Sequence, residues 1–270
     1  MYTKILKHTN EHAHVRGGTA QAKKIVRSIA HFKNYTTTRD IPALSTTNLS
    51  AYLKFGCISI RQIYHAIEQT LGKHHPLIRQ LYWRDFFTYL AYHSPFVFGH
   101  PYHKKYEKLP WSKNMSFFKA WCQGKTGFPI VDAGMRQLNT TGFMHNRVRM
   151  IVASFLVKDL HINWLWGEKY FAQQLIDYDP MINNGNWQWC ASTGSDAQPY
   201  FRIFNPWIQQ KKFDPQCIYI KRWIPELKDI EPKIIHNWFG SHNVEIKQYP
   251  RPLIDHKIES ALAKKMYKDI

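Results

Sequence analysis

No stretch of this sequence approaches the ~20 consecutive apolar residues of a membrane span, and the opening MYTKILKHTNEHAHVRGG lacks the apolar core of a secretory signal. Cysteine is scarce. Cys57, Cys122, Cys190 and Cys217 are scattered and form no CxxC, which fits reduced thiols in the cytoplasm or nucleus rather than a disulfide framework. The 15 His fall into no HExxH or Cys/His ligand spacing, so no metal is expected. Gly124-Lys125-Thr126 imitates the end of a phosphate loop, but Lys119 stands where its leading glycine is required. No GxGxxG follows a strand pattern and no nucleophile elbow is present, so a dinucleotide fold and a serine hydrolase are both unsupported. Acidic residues are few, 19 against 37 Lys+Arg, a net charge of +18. Such an excess calls for a polyanionic partner, nucleic acid first.

Aromatics, by contrast, make up 15% of the 270 residues, with ten Trp. That many indoles imply a large core together with stacking sites for flat ligands or bases. Charge is uneven. Residues 1–40 carry eight basic side chains against Glu11 and Asp40, whereas residues 130–210 balance six basic with six acidic around Trp164, Trp166, Trp187 and Trp189. A charge-balanced, aromatic segment in a basic protein reads as interior, where ions need partners.

The periodicity is helical. Ile60, Ile63, Tyr64 and Ile67 share a face behind a Ser59 N-cap, and RQLYWRDFFTYLAYHSP is a helix stopped by Pro95. PIVDAGMRQLNTTG closes near Gly142, HNRVRMIVASFLVKDL ends before His161, and EKYFAQQLIDYD is expected to run up to Pro180. CIYIKRWI is the best period-2 run and the one candidate strand. The expected fold is all-α, with residues 1–34 a basic helical lead-in and 35–270 a single helical domain.

Four segments carry the chemistry: TTNLSAYLKFG (46–56), QLYWRDFF (80–87), MHNRVRM (144–150) and LIDYDPMINNGNWQW (175–189). Thr46, Thr47 and Ser50 bring hydroxyls and backbone N–H groups to an expected helix start, where they either cap it or meet phosphate oxygens. Asn146, Arg149 and Met150 fall at i, i+3 and i+4 on one face. Arg149 with Asp177 or Asp179 reads equally as a buried ion network. Asn183 and Asn184 before Gly185 admit the plain reading of a turn, and Trp187 and Trp189 that of core, beside a role in a site.

Taken together with GKTGFPIVDAGMRQL (124–138), RMIVASFLVKDL (149–160) and ASTGSDAQPYFRIFNP (191–206), these segments resemble the helical flavin-binding half of the photolyase/cryptochrome family, over nearly the whole chain. The resemblance implies a folded FAD inside a helical domain lacking the α/β antenna domain with which family members usually begin. It assigns cofactor contacts to Tyr35, Thr46, Thr47, Asn48, Leu49, Ser50, Trp83, Arg84, Asn146, Arg149, Asp177, Tyr178 and Asp179. Asn183 takes the position facing flavin N5, where an amide can hydrogen-bond the reduced ring without adding negative charge.

The (6-4) photolyases place two His four residues apart on the MHNRVRM helix. Here those positions are Asn146 and Met150, and the Asn146-Arg147 pair resembles the cyclobutane-dimer enzymes instead. By the same likeness Trp83 and Trp189 flank a flipped dimer, Arg147, Arg202 and Arg39 meet DNA phosphates, and Gln80 hydrogen-bonds the dimer where many bacterial members have Glu. Trp187, Trp164 and Trp111 match the family's chain for photoreducing oxidised flavin.

The implied activity is that of a deoxyribodipyrimidine photo-lyase: light-driven dimer splitting by reduced FAD, with DNA as partner, no membrane, and a cytoplasmic or nuclear monomer. No antenna chromophore is expected on this chain, and a separately encoded antenna chain is an admissible partner. The rival readings are a cryptochrome-like photoreceptor and a flavin-free nucleic-acid-binding module.

Overall fold

The computed structural model describes residues 10–195, 201–241 and 246–270. Lys4 and Lys7 of the basic lead-in and residues 196–200 of the ASTGSDAQPYFRIFNP segment lie outside the described residues. Among the described residues the regular elements are all helices and there is no strand; one isolated bridge joins Ser112 to Ile162. In chain order the α-helices are α1 (Thr19–Arg27), α2 (Tyr35–Thr38), α3 (Ser50–Lys54), α4 (Ile60–Leu71), α5 (Pro76–His93), α6 (Met115–Gln123) and α7 (Pro129–Thr141). They continue with α8 (Asn146–Ser154), α9 (Trp164–Gln174), α10 (Pro180–Ala191), α11 (Pro206–Phe213), α12 (Ile218–Trp223), α13 (Pro232–His236) and α14 (His256–Lys268). No helix among the described residues is long and apolar enough to cross a membrane.

Local chemistry explains most of these boundaries. Ser59 and Gln62 form a reciprocal capping box at the start of α4. Gly142 ends α7 in the left-handed conformation. Gly124 does the same for α6, and the following Thr126 donates its backbone N–H and hydroxyl to the buried Asp132 carboxylate, both at 2.7 Å. The Gly-Lys-Thr triplet is therefore a structural turn.

Three sequence expectations need correction. CIYIKRWI is not a strand: residues 218–223 form α12, because the Asp214 carboxylate accepts the N–H groups of Tyr219 (3.1 Å) and Ile220 (2.9 Å) at the helix start. The helix expected to reach Pro180 spans Trp164–Gln174 instead, and Pro180 opens the next one. Asn183-Asn184-Gly185 is no turn but the interior of α10.

Two hydrophobic clusters organise the molecule. The larger is built from α6–α10 and α12, with Trp121, Phe128, Val152, Phe155 and Trp187 among its buried members. The smaller gathers Ala22 and Ile29 of the lead-in with Leu49, Tyr52, Ile63, Ile67 and Leu77. Helix α5 runs from the smaller cluster to α10. Its first turn is buried in the smaller cluster, and Phe87 lies against α10 where a Cβ on Gly185 would come within 2.2 Å of the ring. The glycine is what lets the two helices close.

Candidate flavin site

The predicted site residues come from both sides of the seam between these clusters, and polar contacts cross it. Ser50 donates to the Asp177 carboxylate at 2.7 Å. Lys54 pairs with Asp179 at 3.5 Å. Arg147 pairs with Asp40 at 2.9 Å and lies 4.4 Å over the Phe213 ring. The three polar contacts tie the 35–54 segment to α8 or to residues 177–179 just before α10.

Arg149 is the best-anchored member. Its guanidinium donates to both Asp177 oxygens (3.1 and 2.9 Å) and to the Met144 carbonyl (2.8 Å). Burial works against the Asp177 carboxylate, but the Arg149 charge and the hydrogen bonds from Arg149 and Ser50 outweigh it and hold its pKa below the ordinary value. The two acids that the sequence left interchangeable are thereby separated. Asp177 neutralises Arg149, whereas Asp179 caps α10, accepting from Met181 (3.1 Å) and Ile182 (3.3 Å).

Helix α10 would ordinarily be poor company for an apolar core, but each of its buried amides has a partner. Asn183 donates to the Glu168 carbonyl at 3.1 Å, which orients the amide and leaves its oxygen as the group to offer. Asn184 donates to the Glu168 carboxylate (2.9 Å) and to the Val97 carbonyl (3.0 Å). Gln188 bonds Val97, His100 and Asn184. Burial raises the Glu168 pKa, and the Asn184 bond opposes it only in part.

Other predicted contacts are less constrained. Thr46, Thr47 and Tyr178 are half-buried, Leu49 is buried, and Asn48 adopts a left-handed backbone (φ 53). The expected helix start is real but short: α3 has five residues, and Ser50 spends its hydroxyl on Asp177. Tyr35, at the start of α2, is half-buried, and burial raises its phenol pKa. Asn146 is exposed and reaches the Met150 sulfur at 3.9 Å. Arg84 contacts Asp85 at 3.4 Å and Gln80 the Pro76 carbonyl at 3.4 Å. Trp83 is half-exposed and stacks on Phe87 with ring centroids 6.0 Å apart. Arg202 lies 5.4 Å over the Trp189 ring, while Arg39 sits 3.9 Å from Asp40.

The three Trp of the expected chain differ in burial. Trp187 and Trp164 are buried, and Trp111 is half-buried beside a surface hollow of about 260 Å³. The ring neighbours of Trp187 are Phe171 (5.0 Å) and Trp121 (6.2 Å). Trp121, Glu168, Asp40 and Lys54 escaped the sequence reading because no local pattern marks a partner so distant along the chain.

His145 adds a pH response. It caps α8 through Nδ1, which accepts from the Arg147 N–H at 3.2 Å, and its Nε2 is buried without a partner. Burial first, then the Arg149 and Arg147 charges, push its pKa down to about 4 against an opposing pull from Asp40. The folded state then binds a proton less readily than the unfolded chain, whose His titrates near 6.5. This contribution to stability is complete above pH 6.5 and falls as the pH drops from 6.5 to 4. Urea unfolding across that window should lose on the order of 3 kcal/mol through this residue. His145→Asn keeps the cap and should flatten that part of the profile; an unchanged slope would assign it elsewhere.

The donor set suits a flat, polar-edged ligand bearing phosphates: threonine hydroxyls, a left-handed backbone turn, an oriented buried amide, a neutralised arginine and a half-exposed indole. Comparison with known proteins agrees. Residues 77–269 match the family described as the FAD binding domain of DNA photolyase. The chain is 47% identical over 246 residues to the deoxyribodipyrimidine photo-lyase of Vibrio cholerae, covering 87% of this chain and 52% of that protein. The archaeal photolyase of Sulfolobus tokodaii, solved with two FAD molecules, superposes with a TM-score of 0.90 at 47% identity, covering all of this chain and 60% of that one. The Synechocystis cryptochrome superposes at 0.83 with 33% identity, covering 95% of this chain and 57% of that one. The chain spans about half the length of the curated relatives it matches. An all-helical fold, a polar seam in an aromatic core and these similarities converge: the chain belongs to the FAD-binding domain family of the DNA photolyases.

Proposed function

We propose that this chain is the catalytic part of a light-dependent DNA-repair enzyme that holds reduced FAD and splits cyclobutane pyrimidine dimers. Bound and reduced, the flavin would supply a light-activated electron that the dimer borrows while its two cyclobutane C–C bonds break, with no net redox change. The observation that carries the reading is the order of residues on α10. Asp179 caps the helix, Asn183 is buried with its amide held by Glu168, Trp187 points into the core, and Trp189 stands with Arg202 toward the outside.

In this reading the oxygen of Asn183 accepts a hydrogen bond from the protonated flavin edge, and the Arg149–Asp177 pair fixes the cavity wall. Thr46, Thr47 and the Asn48 turn supply phosphate donors. Trp83 and Trp189 offer flat faces to a dimer that has lost normal stacking, Gln80 hydrogen-bonds it, and Arg202, Arg147 and Arg39 meet phosphates. Arg147 is the costliest to redeploy, since a phosphate must compete with Asp40 for it. The enzyme acts as a monomer on DNA in the cytoplasm or nucleus, and a chain carrying an antenna domain is the protein partner this reading admits.

The similarity to a cryptochrome keeps a photoreceptor as the second reading. The test is illumination of the reduced, FAD-loaded protein with an oligonucleotide containing one cyclobutane dimer. Light-dependent loss of the dimer is expected, with dark controls unchanged. A yellow protein without that activity would favour the photoreceptor, and a protein that takes up no FAD would remove both readings.

A further inference from the structure

Trp111 and Trp166 come from different parts of the chain, and both are half-buried. They line one surface hollow of about 260 Å³, together with Leu109, Ser112, Lys113 and Asn163. Local hydrogen bonds set its walls. The Ser112 N–H donates to the His161 carbonyl at 2.7 Å, which fastens the 109–113 segment to the chain just before α9. Asn163 caps α9, its side-chain oxygen accepting from the Leu165 N–H at 3.0 Å.

The polar groups of the hollow have donors to spare. The Ser112 hydroxyl accepts from the Asn114 N–H at 3.2 Å and keeps its own proton free, and the cap occupies the Asn163 oxygen but not its amide hydrogens. Lys113 is exposed. Neither its ammonium nor the indole N–H of Trp111 or Trp166 has a partner among the described residues. No acid lines the hollow. Free donors, an unpaired cation and two flat rings select a planar anion. The volume falls just below the ~300–1,000 Å³ that suits drug-sized ligands, so the ligand is a single small ring.

The hollow is also where the aromatic core reaches the surface. Ring contacts run from Trp187 to Trp121 (6.2 Å), from Trp121 to Phe118 (6.0 Å) and from Phe118 to Trp166 (5.2 Å). Trp111, the outer member of the expected chain, opens on the same space.

We propose that this hollow binds a small planar anion of the ene-diolate class that donates electrons, and that Trp166 is a second exit beside Trp111. The proposal rests on the reading of this chain as a flavoprotein that draws electrons through Trp187, with oxidised flavin under light as the acceptor. An electron drawn inward leaves an indole cation radical at the wall of the hollow. The bound ene-diolate monoanion gives that ring one electron, releases its remaining hydroxyl proton to water and leaves as a radical anion. Two such radicals take up one proton and disproportionate to one ene-diolate monoanion and one dicarbonyl. Lys113 holds the anion, whose charge also offsets that of the ionised ring.

The test uses the FAD-loaded chain with ascorbate as probe. Calorimetry in the dark should show one saturable site, weakened about tenfold or more in Lys113→Glu at unchanged thermal unfolding. Under light, the rate of flavin reduction should level off at high ascorbate, as a bound donor requires, whereas collision gives a rate that rises in proportion. Trp111→Phe should keep part of that rate, and Trp111→Phe/Trp166→Phe should lose nearly all of it. No saturable binding, equal binding by Lys113→Glu, a rate proportional to ascorbate throughout, or a Trp111→Phe variant as inactive as the double one overturns the proposal. Dimer repair by the chain reduced chemically beforehand is measured apart: its failure removes the repair reading and leaves the dark binding standing.

Discussion

Arg149→Leu should cost about 3–5 kcal/mol of stability, because it leaves a buried carboxylate without its counter-ion. The Asp177 side chain is only 5% exposed, and without Arg149 it keeps only neutral donors, the Ser50 hydroxyl and its own backbone N–H. Its pKa, now held low, should rise past the ordinary carboxylate value as burial takes over. The Met144 carbonyl loses its Nε donor as well. Urea titrations should show the midpoint shift at constant slope, and FAD content should fall, since the same pair frames the seam. Arg149→Leu combined with Asp177→Leu should recover a substantial part of the stability but not the flavin. A loss below about 1 kcal/mol in the single variant would mean that the pair contributes little beyond solvent-screened attraction.

Trp187→Phe should abolish photoreduction of oxidised flavin while leaving dimer repair intact in protein reduced chemically beforehand. Indole gives up an electron more readily than phenyl, so if Trp187 is the first relay of the expected chain the substitution removes it and keeps an aromatic ring in place. Trp187 is packed closely enough that a Cβ on Gly167 would fall 2.1 Å from its ring, so a modest loss of stability from the vacated volume is expected and must be measured separately. The variant also distinguishes routes. Trp121, 6.2 Å from Trp187 and fully buried, donates to the Val152 carbonyl and is a core indole in its own right. Photoreduction that survives Trp187→Phe would remove Trp187 from the path.

Much of the architecture was legible because it is written in short-range terms. The Ser59 cap, the Gly142 stop, and the apolar stripe of Val148, Ile151, Val152, Phe155 and Leu156 each depend on neighbours a few residues away. Misreadings arose where that rule failed. Alternation over six residues of α12 is indistinguishable from one helical turn and a half, and the deciding group, Asp214, lies outside the run. The stop of α9 at Gln174 is set neither by Pro180 nor by any nearby glycine, but coincides with the Ile176 N–H turning to the Gly142 carbonyl (2.9 Å) on another element.

The sequence by itself determined the helical class, the family, and the spacing of residues that could face a flavin, since periodicity and motif are properties of adjacent positions. Only the tertiary structure decided which acid neutralises Arg149, that Ser50 and Lys54 stitch the small cluster to the large one, that Glu168 orients Asn183, and that Trp111 and Trp166 line one hollow. Those outcomes join residues up to 127 positions apart. Their partners are chosen by how two hydrophobic clusters meet, a geometry that no local pattern encodes.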